Sequence, residues 1–272
     1  MQLKREFGLP WVADFRDLWT QQDGKYNRFT DRERRMEEDV IREADWITIV
    51  TDIGLETLTE KYPEIAVKSS TISHGFDPDD YRGLKLQDYD DWCTFTYAGT
   101  LYGNRTEGTT GFLEALKVVV DRKPEIKVKV QFIGRCDAVK GDVKRLGLGD
   151  RVTFIPWLSK RAVLERLVMS SVQLFILGDS LVDRNASTGK IFDYMGVGRP
   201  VMAVVPEGVA ERMVRETGIG TVDRPSDVEG MAKRIEYWTN GWQFRPVASE
   251  IAKYSIEGKA REMAEVLERI VK

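Results

Sequence analysis

The chain has 272 residues, 42% of them hydrophobic and 31% charged, a composition that excludes a disordered chain and leaves room for one large domain or two small ones. Its 41 Lys and Arg against 44 Asp and Glu leave a net charge of -3, which argues against a dedicated nucleic-acid surface, so no nucleic acid is expected among the partners. No apolar run approaches the roughly 20 residues of a membrane span, MQLKREFGLPWVADFRD lacks the apolar core of a secretory signal, and the two cysteines, Cys93 and Cys136, fall on strand-like segments as in a reduced cytoplasmic protein.

In chain order, PWVADF (10–15) reads as a buried strand. RERRMEEDVIREAD (32–45) carries Met36, Val40, Ile41 and Ala44 at helical spacing. WITIVT (46–51) is a strand, GLETLTEKY (54–62) a helix and VKSSTIS (67–73) a strand, followed by a turn-rich linker, HGFDPDDYRG (74–83). CTFTYAG (93–99) is a strand ending in Gly, and GFLEALKVVVDRKP (111–124) a helix stopped by Pro124. KVKVQFIG (127–134) is a strand, VKRLGL (143–148) closes a short helix, and RVTFIP (151–156) is a strand. Ser159 caps a helix over 160–169, before the continuous apolar strand VQLFIL (172–177). A helix opened by Ser187-Thr188-Gly189 leads to the strand PVMAVV (200–205), a helix over 207–216, a strand at 218–223 and a helix from Pro225 to about 240. The last segment stripes Met263, Val266, Leu267 and Ile270 along a terminal helix. This alternation is that of right-handed βαβ units on parallel sheets, an α/β fold. The first eighty residues supply only about three strands, half of a doubly wound domain, whose faces need strands from upstream or cover from another chain.

Ligands of open parallel sheets bind beyond the carboxyl ends of the strands. Here those ends read AGTLYGNRTEG, GRCD, PWLSK and GDSLVDRNASTG, rich in Gly, hydroxyls and Arg. Gly admits close backbone approach, and helix starts and arginines hold phosphate, so the set suits a phosphorylated ligand, most simply a nucleotide. Each feature also has a plain alternative. Gly99 and Gly134 can be strand-end turns, Arg105 and Arg135 surface cations, Ser187-Thr188-Gly189 a helix cap, and Asp193 an exposed helical acid. For Trp157 a packed aromatic is the expected state, and His74 is expected to be a structural residue of the linker. Neither a Walker loop nor a GxGxxG fingerprint occurs, no GxSxG elbow accompanies the lone His74, and no metal site is expected.

The stretches LPWVADFRDLW, EEDVIREADWITIVT, ISHGFDPDDY, FTYAGTLYGNRTEGTTGFLEAL, VQFIGR, RVTFIPWLSKRAVLERLVMSSVQLFIL, STGKIFDYMGVGRPVMAV and YSIEGKAREMAEVL occur in this order over nearly the whole chain. The set resembles the retaining GT-B glycosyltransferases that use nucleotide sugars. The resemblance implies a partial, acceptor-side Rossmann-like domain over 1–80, a donor-binding domain over 81–245, and a terminal helix over 246–272 packing back on the N-terminal part. It implies no cofactor, a UDP-, GDP- or ADP-sugar donor, and a glycan or lipid-linked acceptor. Cell-surface polysaccharide assembly is the role implied, in the cytoplasm, with a peripheral position at the inner membrane face left open.

The family carries two glutamates with seven residues between them. Asn185 and Asp193 stand at those positions, the first toward the donor sugar and the second toward the ribose hydroxyls. The resemblance gives Ser187, Thr188 and Gly189 the diphosphate, with Lys190 and Arg105 as cations, Arg105 in the loop after the strand with Gly99 and Thr100. It gives the base to Gly134, Arg135 and the backbone at Ile155, Pro156 and Trp157. Arg16 and Asp17 stand where many members place a histidine facing the sugar. Both glutamates are replaced here, and about a hundred residues found upstream in full members are expected to be missing. The alternative is therefore a non-catalytic or split nucleotide-sugar-binding module that needs a partner chain. A single histidine speaks against an epimerase.

Overall fold

Among the described residues of the computed structural model, 1–21, 29–87, 91–103, 105–241 and 243–271, nine strands form two parallel sheets. They are β1 (Val12–Phe15), β2 (Trp46–Ile49), β3 (Ser69–Thr71), β4 (Cys93–Thr100), β5 (Val128–Arg135), β6 (Val152–Ile155), β7 (Val172–Ile176), β8 (Val201–Val204) and β9 (Gly220–Asp223). Every residue of β2, β7 and β8 is buried, as a sheet covered on both faces requires of its inner strands. The chain divides into two compact units, residues 1–75 with 253–272, and residues 76–252.

The first unit holds the three-stranded sheet β1-β2-β3. Its helix Asp31–Glu43 starts at a reciprocal cap, in which Glu33 N–H donates to Thr30 Oγ1 and Thr30 N–H donates to Glu33 Oε2 at 2.7 Å. The inward stripe differs by one position from the expected one, because Met36 is exposed and Glu37 is fully buried. The Glu37 carboxylate is satisfied there by Thr20 N–H at 2.7 Å, Tyr62 O–H at 2.8 Å and Lys61 Nζ at 3.2 Å, together with Gln21 Nε2. The terminal helix Ile256–Val271 packs through Val266, Met263 and Ile270 on Trp46 and Ile72. Leu267, expected on the same stripe, faces solvent.

The second unit holds the six-stranded sheet in the order β6-β5-β4-β7-β8-β9, all parallel. Numbered within the unit this is 3-2-1-4-5-6, the doubly wound order that reverses between β4 and β7. Phe95, Phe112, Phe132, Val130 and Leu174, each at 0% exposure, centre its core, and full burial of side chains this size stabilises by about 1.5–3 kcal/mol each.

Three local expectations are corrected. The first helix of this unit is Arg105–Arg122, six residues longer at its start than the apolar periodicity indicated, so Arg105 opens a helix rather than lying in a loop. Gly108, placed in the loop at the strand end, lies inside this helix, and it and Gly111 serve close packing. A β-carbon at Gly111 would stand 2.5 Å from Pro225 O, and one at Gly108 3.1 Å from Leu177 O. The short helix that VKRLGL (143–148) was expected to close is Lys140–Arg145, ending at Arg145 before Leu146. Two further helices, Gln2–Phe7 and Leu181–Arg184, carry no clear periodicity.

Candidate functional site

The carboxyl ends of β4 and β5 lie in register, Gly99 beside Gly134 and Thr100 beside Arg135. Neither glycine is mere punctuation. A β-carbon on Gly134 (φ 108°) would stand 2.5 Å from Gly99 O, and one on Gly99 (φ 144°) would overlap Lys190 Cε and stand 2.8 Å from its Nζ. Bare backbone therefore forms a floor over which the Lys190 side chain is laid. Cys136, 1% exposed, lies beneath it with Sγ 3.5 Å from Gly99 O. Above the floor is a cavity of about 260 Å³ whose lining includes Gly99, Thr100, Gly134, Arg135, Trp157, Leu158, Lys160, Lys190 and Asp193.

The cations of the site are held without full neutralisation. Lys190 Nζ sits 5.4 Å above the Tyr97 ring, and burial first, then the nearby Arg105 charge, brings its pKa down to about 8. Arg105 stacks on Tyr102 at 4.7 Å. Its Nε is 3.6 Å from Asp183 Oδ1, an ion pair beyond hydrogen-bond reach, and this buried nitrogen makes no hydrogen bond. The hydroxyls of Ser187 and Thr188 are likewise buried without a hydrogen-bond partner. Thr188 is the N-cap of the nine-residue helix Gly189–Val197, yet its side chain makes no capping bond. The Ser-Thr-Gly turn is thus not a side-chain cap. It leaves donor hydroxyls and the positive end of a helix beside two cations, an arrangement chemically suited to a compact anion such as a phosphate.

Asp193 lies one turn into that helix. Burial pushes its carboxyl above the usual range, although Tyr81 O–H donates to Oδ1 at 3.0 Å and Lys160 Nζ stands at 3.7 Å. Neither Tyr81 nor Lys160 stood out in the sequence, where Tyr81 lay in a stretch read as linker. Gly196 was the available signal, since a β-carbon there would overlap the Tyr81 ring.

The structure gathers Gly99, Thr100, Gly134, Arg135, Trp157, Lys190 and Asp193 on one cavity. Arg105 touches this group through its charge on Lys190. Asn185, Ser187, Thr188 and Gly189 lie at the entry to the same helix but do not line the cavity, and neither do Ile155, which ends β6, and the exposed Pro156. Trp157 is 77% exposed, so it is a rim residue and not the packed aromatic expected. Arg16 and Asp17 belong to the first unit. There Arg16 pairs with Asp14 at 3.1 Å and sets its guanidinium 2.6 Å from His74 Nδ1. His74 is therefore part of a polar cluster at the end of β1, and burial, then Arg16, lowers its pKa.

The family model described as "Glycosyl transferases group 1" matches residues 93–240. No curated protein matches the sequence. Among solved structures, a glycosyltransferase from Rickettsia africae aligns with TM-score 0.72 at 13% identity over 100% of this chain and 79% of its own. Sucrose-phosphate synthase from Thermosynechococcus elongatus aligns with TM-score 0.62 at 17% identity over 99% of this chain and 70% of its own. A TarM variant from S. aureus, solved with fondaparinux, α-GlcNAc-glycerol and UDP, aligns with TM-score 0.64 at 12% identity over 95% of this chain, which spans 50% of that one. At these identities the likeness speaks for the fold alone, an α/β, Rossmann-like architecture of the GT-B type.

Proposed function

The chain belongs to the group 1 glycosyl transferases, and on that premise we propose that the cavity beyond β4 and β5 binds the donor, a nucleoside-diphosphate sugar. The observation that carries this reading is the set of buried donors that make no hydrogen bond: Ser187 Oγ and Thr188 Oγ1 at the start of the helix that brings Lys190 to the cavity, and Arg105 Nε, whose charge is felt at Lys190. Such a set costs free energy until an anion satisfies it.

In this reading the diphosphate lies against Ser187–Gly189, Lys190 and Arg105, and the ribose meets Asp193. The base lies near Arg135 and Trp157, and Asn185 faces the sugar. Transfer breaks the bond between the anomeric carbon and the diphosphate oxygen while an acceptor hydroxyl bonds to that carbon from the same face and gives its proton to the departing diphosphate. Charge collects on the departing diphosphate, where the fixed cations and amides are strongest. Retention of configuration, a glycan or lipid-linked acceptor, and a role in cell-surface polysaccharide assembly complete the proposal. Among the described residues no helix is long and apolar enough to cross a membrane, which is compatible with a peripheral position at the inner face.

A thermal-shift screen against UDP, GDP and ADP tests the reading. The nucleotide that fits, at 100 times its Kd, stabilises the protein by about 2.7 kcal/mol. If none of the three moves the transition, the donor-site assignment is wrong.

A further inference from the structure

The expected ribose contact is Asp193, one methylene shorter than the glutamate the family leads one to expect, and its side chain is not free to search for a partner. We infer that Tyr81 is a positioning residue that fixes the Asp193 carboxylate at the cavity wall through its phenol hydroxyl. The inference rests on the donor-site reading above.

Three observations carry it. The first is direct contact, with Tyr81 O–H donating to Asp193 Oδ1 at 3.0 Å. The second is that the phenol itself is held rigidly. Its ring lies against Gly196, where any β-carbon would overlap it, and meets Phe76 edge-on at a centroid distance of 6.0 Å. The turn Pro78–Tyr81 that carries it is pinned to the helix Lys160–Leu167. Lys160 Nζ donates to Asp80 Oδ2 at 2.6 Å, and Arg161 donates to the carbonyls of Asp80 and Arg82 at 3.4 and 3.2 Å. The third is that the same lysine faces the same carboxylate, at 3.7 Å from Asp193 Oδ1. A turn pinned at its C-terminal end therefore presents one O–H to one carboxylate oxygen, leaving Oδ2 as the oxygen outside that bond. Positioning of this kind lets a short acid do the work of a longer one, because no rotamer freedom is lost when the ligand arrives.

The groups facing Asp193 are Tyr81 and Asp80 from the turn, Lys160 from the adjoining helix and Tyr194 from its own helix. Burial and Asp80 favour the protonated acid, while Tyr81 and Lys160 favour the carboxylate. Removal of the phenol oxygen therefore raises the Asp193 pKa further. A carboxylate that accepts from ribose loses this contact as pH falls through its pKa, so the acid limb of nucleotide affinity moves upward.

The test is titration calorimetry of the full chain with UDP, GDP and ADP between pH 5 and 8. The proteins compared are wild type, Tyr81→Phe, Asp193→Asn and the double variant. Tyr81→Phe keeps the ring that packs on Gly196. We expect it to weaken binding three- to tenfold at pH 7, to shift the acid limb to higher pH, and to have no further effect when Asp193 is already Asn. If wild type binds none of the nucleotides, or Asp193→Asn binds as wild type does, the donor-site reading falls and this inference with it. If Asp193→Asn weakens binding but Tyr81→Phe leaves affinity and acid limb unchanged, or weakens both backgrounds equally, the inference alone is overturned.

Discussion

Lys190 lies across Gly99, so closely that a β-carbon on the glycine would overlap the lysine's Cε. The glycine at the end of one strand thus sets the course of a cation that arrives from a helix ninety-one residues later in the chain. Gly99→Ala should displace Lys190 and strain a backbone at φ 144°. The expected outcome is a loss of about 1–3 kcal/mol of stability with weaker nucleoside-diphosphate binding, read by denaturant titration and calorimetry. Unchanged affinity would separate the lysine's path from the ligand.

Lys190 should also give the site an alkaline limit. Its ammonium loses its proton near pH 8, where an ordinary lysine keeps it. Affinity for a diphosphate should accordingly be flat below about pH 8 and fall above it, because the amine that remains carries no charge. A bound anion favours the charged form, so the fall begins near the free lysine's pKa and its upper end moves to higher pH. Lys190→Met should remove this pH dependence and cost about 1.5–3 kcal/mol of binding at pH 7. A Kd that stays constant from pH 7 to 9.5 in the wild-type protein would count against the role.

Trp157 is 77% exposed, so its indole contributes little to folding. Trp157→Ala should leave the melting temperature nearly unchanged while weakening nucleotide binding by about 1–3 kcal/mol, the range of base–aromatic stacking. Ribose 5-phosphate, which has no base, should bind both forms equally. A large drop in melting temperature would instead mean that the ring supports the fold.

Glu37 is the opposite case, an acid whose work is structural. Burial acts to raise its pKa, but Thr20 N–H, Gln21, Tyr62 and Lys61 together bring it below the usual range. A carboxylate whose folded pKa is lowered adds stability above its unfolded pKa and loses it as pH falls through the folded value. Glu37→Ala should therefore cost about 3 kcal/mol near neutral pH, and the cost should shrink on acidification. Equal destabilisation at pH 3 and pH 7 would rule out the ionised network.

Strands such as VQLFIL were legible as short apolar runs bounded by turn signals. The start of the helix at Arg105 was not, because a glycine such as Gly108 looks the same in sequence whether a backbone turns or merely passes close to another. The stripe carrying Met36 was misplaced by one residue because a buried glutamate is indistinguishable in sequence from a solvated one. At the site, strand-end glycines and the Ser-Thr-Gly turn pointed to the carboxyl edge of the sheet, where the cavity lies. Tyr81 and Lys160 escaped notice because their relation to Asp193 spans residues far apart in the chain. Trp157 was expected inside on the ground that aromatics usually are, a tendency that says nothing about a single rim residue.

Cys136, beneath the Gly99 floor, has a further use as a chemical clock. It is 1% exposed, and burial pushes its thiol up to about 11, so an alkylating reagent reaches a thiolate only when the strand ends part. Its labelling rate counts those openings. Cys93, at the start of β4, the strand that carries Gly99, is also pushed up to about 11 and reports opening at the far end of the sheet. Two endogenous thiols thus give a matched probe and control, and a ligand seated over Gly99 should slow the first reaction while leaving the second at its own pace.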